Sequence, residues 1–448
     1  MMLNMTKGKP LPLILRYYIP LAATSFFQIL YHFADTVIVG KFVGTGAMAA
    51  VGSTTPINFF FVGFLNGVAA GFCIPAARHF GADDHPSLKQ DFANILILSV
   101  VISALMTGLT LFFLDDFLRL MSTPAELFED CRIYLIWMFA GIITIMMYNT
   151  LSGVLRSVGD SRTPFVCLVL TSIINVILNV ILVIPFGLGV AGVGIATVIS
   201  QGFSALYCLA VLYKKCRFLI PERGEWHYNR ETSGELLKNG IPMGFQMSIT
   251  AIGSLALQSA INRQGPDAVA AVSAATRIRQ FAYLTMNAMG TTGSTYCSQN
   301  LGAKRMDRIL DGMKWMFLAD IGICAVNALV ILLFGPFLLN MFFREPDPVI
   351  MEMALRLLHI GMALYLFLAM IYLFRSCIQG LGYASLTMIC GLQELIARFI
   401  ASFYLVEAFG YTGICLADPL AWIMADLVAV PAFFLVLKKV QRKLSEAA

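Results

Sequence analysis

Apolar stretches of about 20 residues recur along this chain with only short polar connectors between them, and no other feature narrows its possible folds so far. The runs fall at 13–39, 47–77, 92–114, 133–155, 163–184 and 191–213, then again at 236–261, 268–297, 313–338, 349–377, 386–405 and 412–437. Inside hydrocarbon every backbone N–H and C=O must be paired without water, which leaves helices or closed barrels. These runs are continuous and do not alternate with period two, so helices are predicted. In a chain of 448 residues they leave little for a soluble domain. Only 13% of the residues are charged, about half the density of an ordinary soluble domain. The fold class expected is an all-α polytopic membrane protein of about twelve transmembrane helices.

Charge places the connectors. Lys214, Lys215, Arg217, Lys238, Lys304, Arg305, Arg308, Lys438, Lys439, Arg442 and Lys443 all fall on one side if Lys7 and Lys9 do, while the other side holds little beyond Lys41, Arg119, Arg263 and Arg344. By the positive-inside rule both termini are expected in the cytoplasm, as an even number of spans requires, in a cell (inner) membrane. The first run is preceded by lysines but followed by no small-residue cleavage site, so it is expected to stay as a helix. The net charge of +5 follows this topology, and nucleic acid is not expected as a partner. Ten scattered cysteines suggest neither a zinc nor a redox site. The expected surroundings are the bilayer.

The two halves resemble each other. Ile19 and Pro20 correspond to Ile241 and Pro242, the run from Ala47 to Val51 to that from Ala268 to Val272, and Gly81 with Ala82 to Gly302 with Ala303. This divides the chain into an N-lobe at 1–213, a cytoplasmic connector at 214–235 and a C-lobe at 236–448. Six spans each start both halves on the same side, so the repeats are parallel. Two pseudo-symmetric six-helix lobes around a central cavity are the architecture of alternating access.

An ionisable side chain within a span costs about 2.5–3.5 kcal/mol and is a functional candidate by default. Asp35 is the foremost, with Gln28 seven residues earlier on the same helical face. Asn175 and Asn179 share one face of the fifth span, and Thr197 sits among Gly192, Gly194 and Ala196 in the sixth. Together they would offer hard oxygen donors suited to a proton or a sodium ion and not to a soft metal. The plainer reading is that the amides and hydroxyl bond between helices, worth about 0.6–2 kcal/mol each.

These residues resemble the multidrug and toxic compound extrusion (MATE) family. The likeness covers nearly the whole chain and is carried by Ala34, Asp35 and Thr36, by Gly153, Arg156, Gly159 and Asp160, and by the segment 175–179. It implies a cation-coupled (H+ or Na+) antiporter that exports small organic, cationic amphiphilic compounds, without a cofactor and without catalysis. In the family's DinF-like branch it implies an N-lobe cation site at Asp35, Asn175, Asn179 and Thr197. Asn179 stands where that branch often has a second aspartate, which leaves Asp35 as the carboxylate of the lobe. The C-lobe site of the NorM-like branch is not matched, since Thr250 stands where that branch has a glutamate. The resemblance further implies a first span that bends, with Pro20 the candidate hinge.

Other charges within the spans are weaker substrate-cavity candidates. Glu394 and Arg398 are spaced for an ion pair, and Arg277 with Arg279 could meet a substrate carboxylate or pair between helices. Asp320, Asp418 and Asp426 are expected to reach headgroups. The rival function is a flippase for lipid-linked sugars on the same fold, which should show a cationic cavity. A membrane enzyme would need clustered nucleophile, base or metal ligands, and the five histidines are dispersed.

Overall fold

The computed structural model describes residues 2–121, 123–342 and 347–446, without the side chains of residues 30–39 and 45. All regular structure among the described residues is helical. In the first half the order is α1 (Pro10–Ile38), α2 (Thr45–Gly81), α3 (His85–Phe112), the short α4 (Leu114–Leu120), α5 (Ala125–Ala140), α6 (Ile142–Ser157), α7 (Arg162–Val183) and α8 (Gly189–Lys215). In the second half α9 (Arg230–Arg263), α10 (Pro266–Gly302), α11 (Met306–Asn340), α12 (Pro348–Ala363), α13 (Tyr365–Gly380), α14 (Ala384–Ile400), α15 (Val406–Phe409) and α16 (Tyr411–Glu446) follow. The twelve spans read from hydropathy each coincide with a helix or a helix pair.

Two spans expected to be continuous are broken. α5 and α6 meet at 47°, and α12 and α13 at 52°. Both breaks fall in the fourth span of their half, at Gly141 and Leu364. At the first, the Val198 side chain of α8 fills the place a Cβ on residue 141 would need, so only glycine lets α8 press into the corner. α10 is long but polar for a span, carrying buried Thr292, Ser298, Gln299 and Asn300. The large exposed side chains of α11, among them Leu329, Leu333, Phe334 and Phe337, are what a lipid-facing helix presents.

Contacts group the chain into two compact units, one of Met1–Asn4 with Ile19–Gly244 and the other of Met5–Tyr18 with Phe245–Ala448. Each helix that opens a half therefore changes unit within its length, α1 just before Pro20 and α9 just after Pro242. In the second unit the segment ahead of α1 is clasped. Arg308 donates to the Met5 and Gly8 carbonyls at 2.9 and 2.7 Å, and Gln299 accepts from the Met5 amide at 2.9 Å. The first unit treats the start of α9 alike. Asn94 accepts from the Asn229 amide and the Ser233 hydroxyl at 2.8 and 2.9 Å, and Arg78 pairs with Glu235 at 2.6 Å. There Gly71 lies so close to Gly240 that a methyl on it would sit 2.5 Å from the Gly240 Cα. Small residues at such crossings replace the hydrophobic drive that lipid cannot supply.

The turn between α6 and α7 accounts for Gly159 and Asp160 of the Gly153–Asp160 signature. Gly159 takes a φ of +82°, and Asp160 accepts from the Arg162 and Thr163 amides at 3.2 and 3.0 Å, capping α7. In the connector, the Glu222 amide and then Lys89 hold the Glu225 carboxyl below the usual carboxylate range.

Candidate functional site

In the first unit α7 and α8 lie along one another, and the seam between them is polar. Cys167, Thr171, Asn175 and Asn179 recur every fourth residue of α7, so they stack on one face, and all four are buried. Asn179 donates from Nδ2 to Asn175 Oδ1 at 2.8 Å. The Asn175 Nδ2 has no partner among the described residues. From α8, Ser204 meets Thr171 at 2.7 Å, while the buried hydroxyl of Ser200 is unpartnered among the described residues. Thr197 spends its proton on the Val193 carbonyl at 3.0 Å, which leaves its oxygen lone pairs to accept.

Sequence reasoning singled out Asn175, Asn179 and Thr197 and passed over Thr171, Ser200 and Ser204, although the four-residue spacings from Cys167 to Asn179 and from Ser200 to Ser204 are legible in the sequence. Gln28 of α1 is exposed, and Phe27 beside it stands edge-on to Phe165 of α7 at 5.5 Å. Asp35 and its neighbour His32 lie in α1, but their side chains fall outside the described residues. Pro20 sits within α1 without ending it, and the Thr24 hydroxyl donates to its carbonyl at 2.7 Å.

The second unit holds a chain of buried charges. Arg279 of α10 donates to Asp418 of α16 at 2.9 Å, and Asp418 also accepts from Arg398 of α14 at 3.4 Å. Arg398 reaches Glu394 at 3.4 Å, the i,i+4 pair expected from the sequence, and Glu394 accepts from Arg375 of α13 at 2.8 Å. With its amide carbonyl turned to Arg375, Gln246 of α9 accepts from Nε and Nη1 at 3.1 Å each. Tyr283 adds a bond of 3.4 Å to Asp418 and stands against Trp422. Three guanidiniums face two carboxylates here, and the Arg279 Nε has no partner among the described residues.

The structure separates Arg277 from this network. Two residues on from it, Arg279 points inward, whereas Arg277 is exposed, because a step of two turns about 200° around a helix. The acids expected at headgroups are placed differently too. Asp418 is the hub of the network, and Asp320 and Asp426 are buried, with neither carboxyl oxygen of either partnered among the described residues. Their helices put them on inward faces, which hydropathy averaged along a span cannot reveal. No cluster of three or more His, Cys, Asp or Glu suited to a metal occurs among the described residues.

A family profile described as MatE matches residues 20–181 and again 242–404. The two matches open at Pro20 and Pro242, the residues that align the halves in the sequence. The chain is 28% identical to "Probable multidrug resistance protein YpnP" of Bacillus subtilis strain 168, over 77% of each protein. It is 24% identical to the "FAD transporter" of Shewanella oneidensis MR-1, over 62% of each. A solved structure described as the outward-facing conformation of a multidrug resistance MATE family transporter of the MOP superfamily superposes with a TM-score of 0.89, at 22% identity and 98% coverage of both chains.

Proposed function

Because the chain belongs to the MATE family of multidrug efflux transporters, a family of membrane carriers and not of enzymes, we propose that it exports small organic, cationic amphiphilic compounds in exchange for H+ or Na+. The coupling site in this reading is Asp35 with Asn175, Asn179 and Thr197, as in the DinF-like branch, joined by Gln28 from the same face of α1 as Asp35. One observation carries the reading. The Asn175 Nδ2 is a fully buried donor with no partner among the described residues, and such a donor costs about 1–3 kcal/mol unless an acceptor meets it. In this reading the acceptor is the Asp35 carboxyl of α1, the helix whose Phe27 stands edge-on to Phe165 of α7. The Thr197 lone pairs then complete an oxygen-lined site.

Outward-facing protein takes the cation at Asp35, and occupancy favours the arrangement of α1, α7 and α8 in which substrate binds weakly. Substrate leaves, the protein returns inward and the cation dissociates. A ligand biases two states only through its differential affinity for them, so a tenfold bias requires about 1.4 kcal/mol between the arrangements. No cofactor takes part, and the protein works as a monomer in the inner membrane with both termini in the cytoplasm.

The test is uptake of a fluorescent organic cation into proteoliposomes under a pH gradient alone and a sodium gradient alone. The driving gradient identifies the coupling ion. Asp35→Asn is expected to abolish gradient-driven movement with unchanged protein yield, and undiminished transport by that variant would reject the site. A second cargo class is favoured by the buried guanidiniums of the second unit and by the FAD-transporting relative, namely an organic molecule with an anionic group. Replacing the dye by a carboxylate-bearing one in the same assay distinguishes the two.

A further inference from the structure

The charge chain Arg279–Asp418–Arg398–Glu394–Arg375 is closed by direct bonds and carries one positive charge more than negative. A net charge held away from water is unfavourable unless a counter-charge lies near. One further acid is placed to supply it. Asp426 is 5% exposed and follows Asp418 by two turns of α16, the helix that packs against α13 and α14. The charged and titratable groups that face it are Arg375 from α13, and Glu394 and Cys390 from α14. Yet neither carboxyl oxygen of Asp426 is hydrogen-bonded among the described residues.

A carboxylate that feels a guanidinium without touching it has two ways to exist. Neutral, it keeps its proton and leaves Arg375 to Glu394. Ionised, it draws Arg375 across, while Glu394 retains its second guanidinium, Arg398. With Asp426 counted, the network is charge-balanced only when that carboxyl has lost its proton.

We propose that Asp426 is a proton-binding site of the second unit, whose protonation switches the buried arginine–carboxylate network between a neutral and a singly positive state. The proton adds to a carboxyl oxygen and leaves from it, with no other bond made or broken. A metal cation fits poorly, because the Glu394 carboxylate that faces Asp426 is already bound by Arg375 and Arg398, and the Arg375 guanidinium repels a cation. This site is independent of the one at Asp35. It gives the transport cycle a second titrating carboxyl, and it makes attraction of an anionic group to the network strongest when Asp426 is protonated.

The infrared difference spectrum of the full-length protein in liposomes, recorded between alkaline and acidic buffer, reads the site directly. A reversible C=O stretch of a protonated carboxylic acid is expected in the wild type. It should lose one component in Asp426→Asn and keep that component in both Asp320→Asn and Asp35→Asn. Should Asp426→Asn not accumulate, Asp426→Glu serves, and the component is expected to shift in frequency. A spectrum that Asp426→Asn leaves whole, or that Asp426→Glu leaves unshifted, overturns the proposal. Because the Asp35→Asn spectrum is recorded alongside, failure of the N-lobe coupling site is seen as unimpaired transport by that variant, with the Asp426 component still present.

Discussion

At the scale of single residues the two halves hold polar groups in different ways. The α7–α8 seam uses neutral amides and hydroxyls, such as the 2.8 Å bond from Asn179 to Asn175, while the second unit uses full charges. A neutral pair can open at about 1 kcal/mol, but removing one partner of a buried ion pair strands the other. Glu394 is held by Arg375 at 2.8 Å and by Arg398 at 3.4 Å, so its loss leaves Arg375 without a carboxylate and Arg398 with Asp418 alone. Glu394→Ala is expected to destabilise the protein by about 3–5 kcal/mol, read as a lowered thermal midpoint in detergent. An unchanged midpoint would mean that water or lipid phosphate already satisfies both arginines.

Among the helices, the most consequential are those that change unit. α1 and α9 each carry a proline near the change, and each is fastened ahead of it by polar bonds to the unit it is leaving. The crossing of α2 and α9 at Gly71 and Gly240 has no room for a side chain. Gly71→Leu is expected to force the two helices apart and reduce folded protein at least severalfold, measured by size-exclusion monodispersity. Gly234→Ala, which meets nothing within 4 Å, is the matched control on α9 and is expected to behave as the wild type. Equal behaviour of the two variants would remove the packing argument. The broken fourth spans are another matter, since Gly141 at least announces the first, whereas nothing local in the sequence marks Leu364.

For the molecule as a whole, the charge asymmetry of the connectors sets the expected orientation. Lys438, Lys439, Arg442 and Lys443 follow the last apolar run, and the rule that keeps such clusters in the cytoplasm predicts an interior C-terminus. A green fluorescent protein fused there should fluoresce, and alkaline phosphatase fused at the same point should be inactive. The opposite pair of results would invert the topology and with it the direction of transport argued above. The internal repeat operates at the same scale, since the family profile matches twice, from Pro20 and from Pro242.

Hydropathy, repeat and charge asymmetry are summed along contiguous residues, which is why the sequence alone determined a helical membrane protein, its twelve apolar segments, its two related halves and its family. Asn175 and Asn179 were legible for the same reason, being one helical turn apart. The bond from Arg279 to Asp418 spans 139 positions and depends on how α10 and α16 cross, a quantity no window along the chain contains. Only the tertiary structure decided that Arg279 turns inward and Arg277 out, that Asp320 and Asp426 are buried without partners among the described residues, and that α1 and α9 pass between units. Burial in a bilayer is a matter of which face meets protein and which meets lipid, and apolar composition looks the same on both.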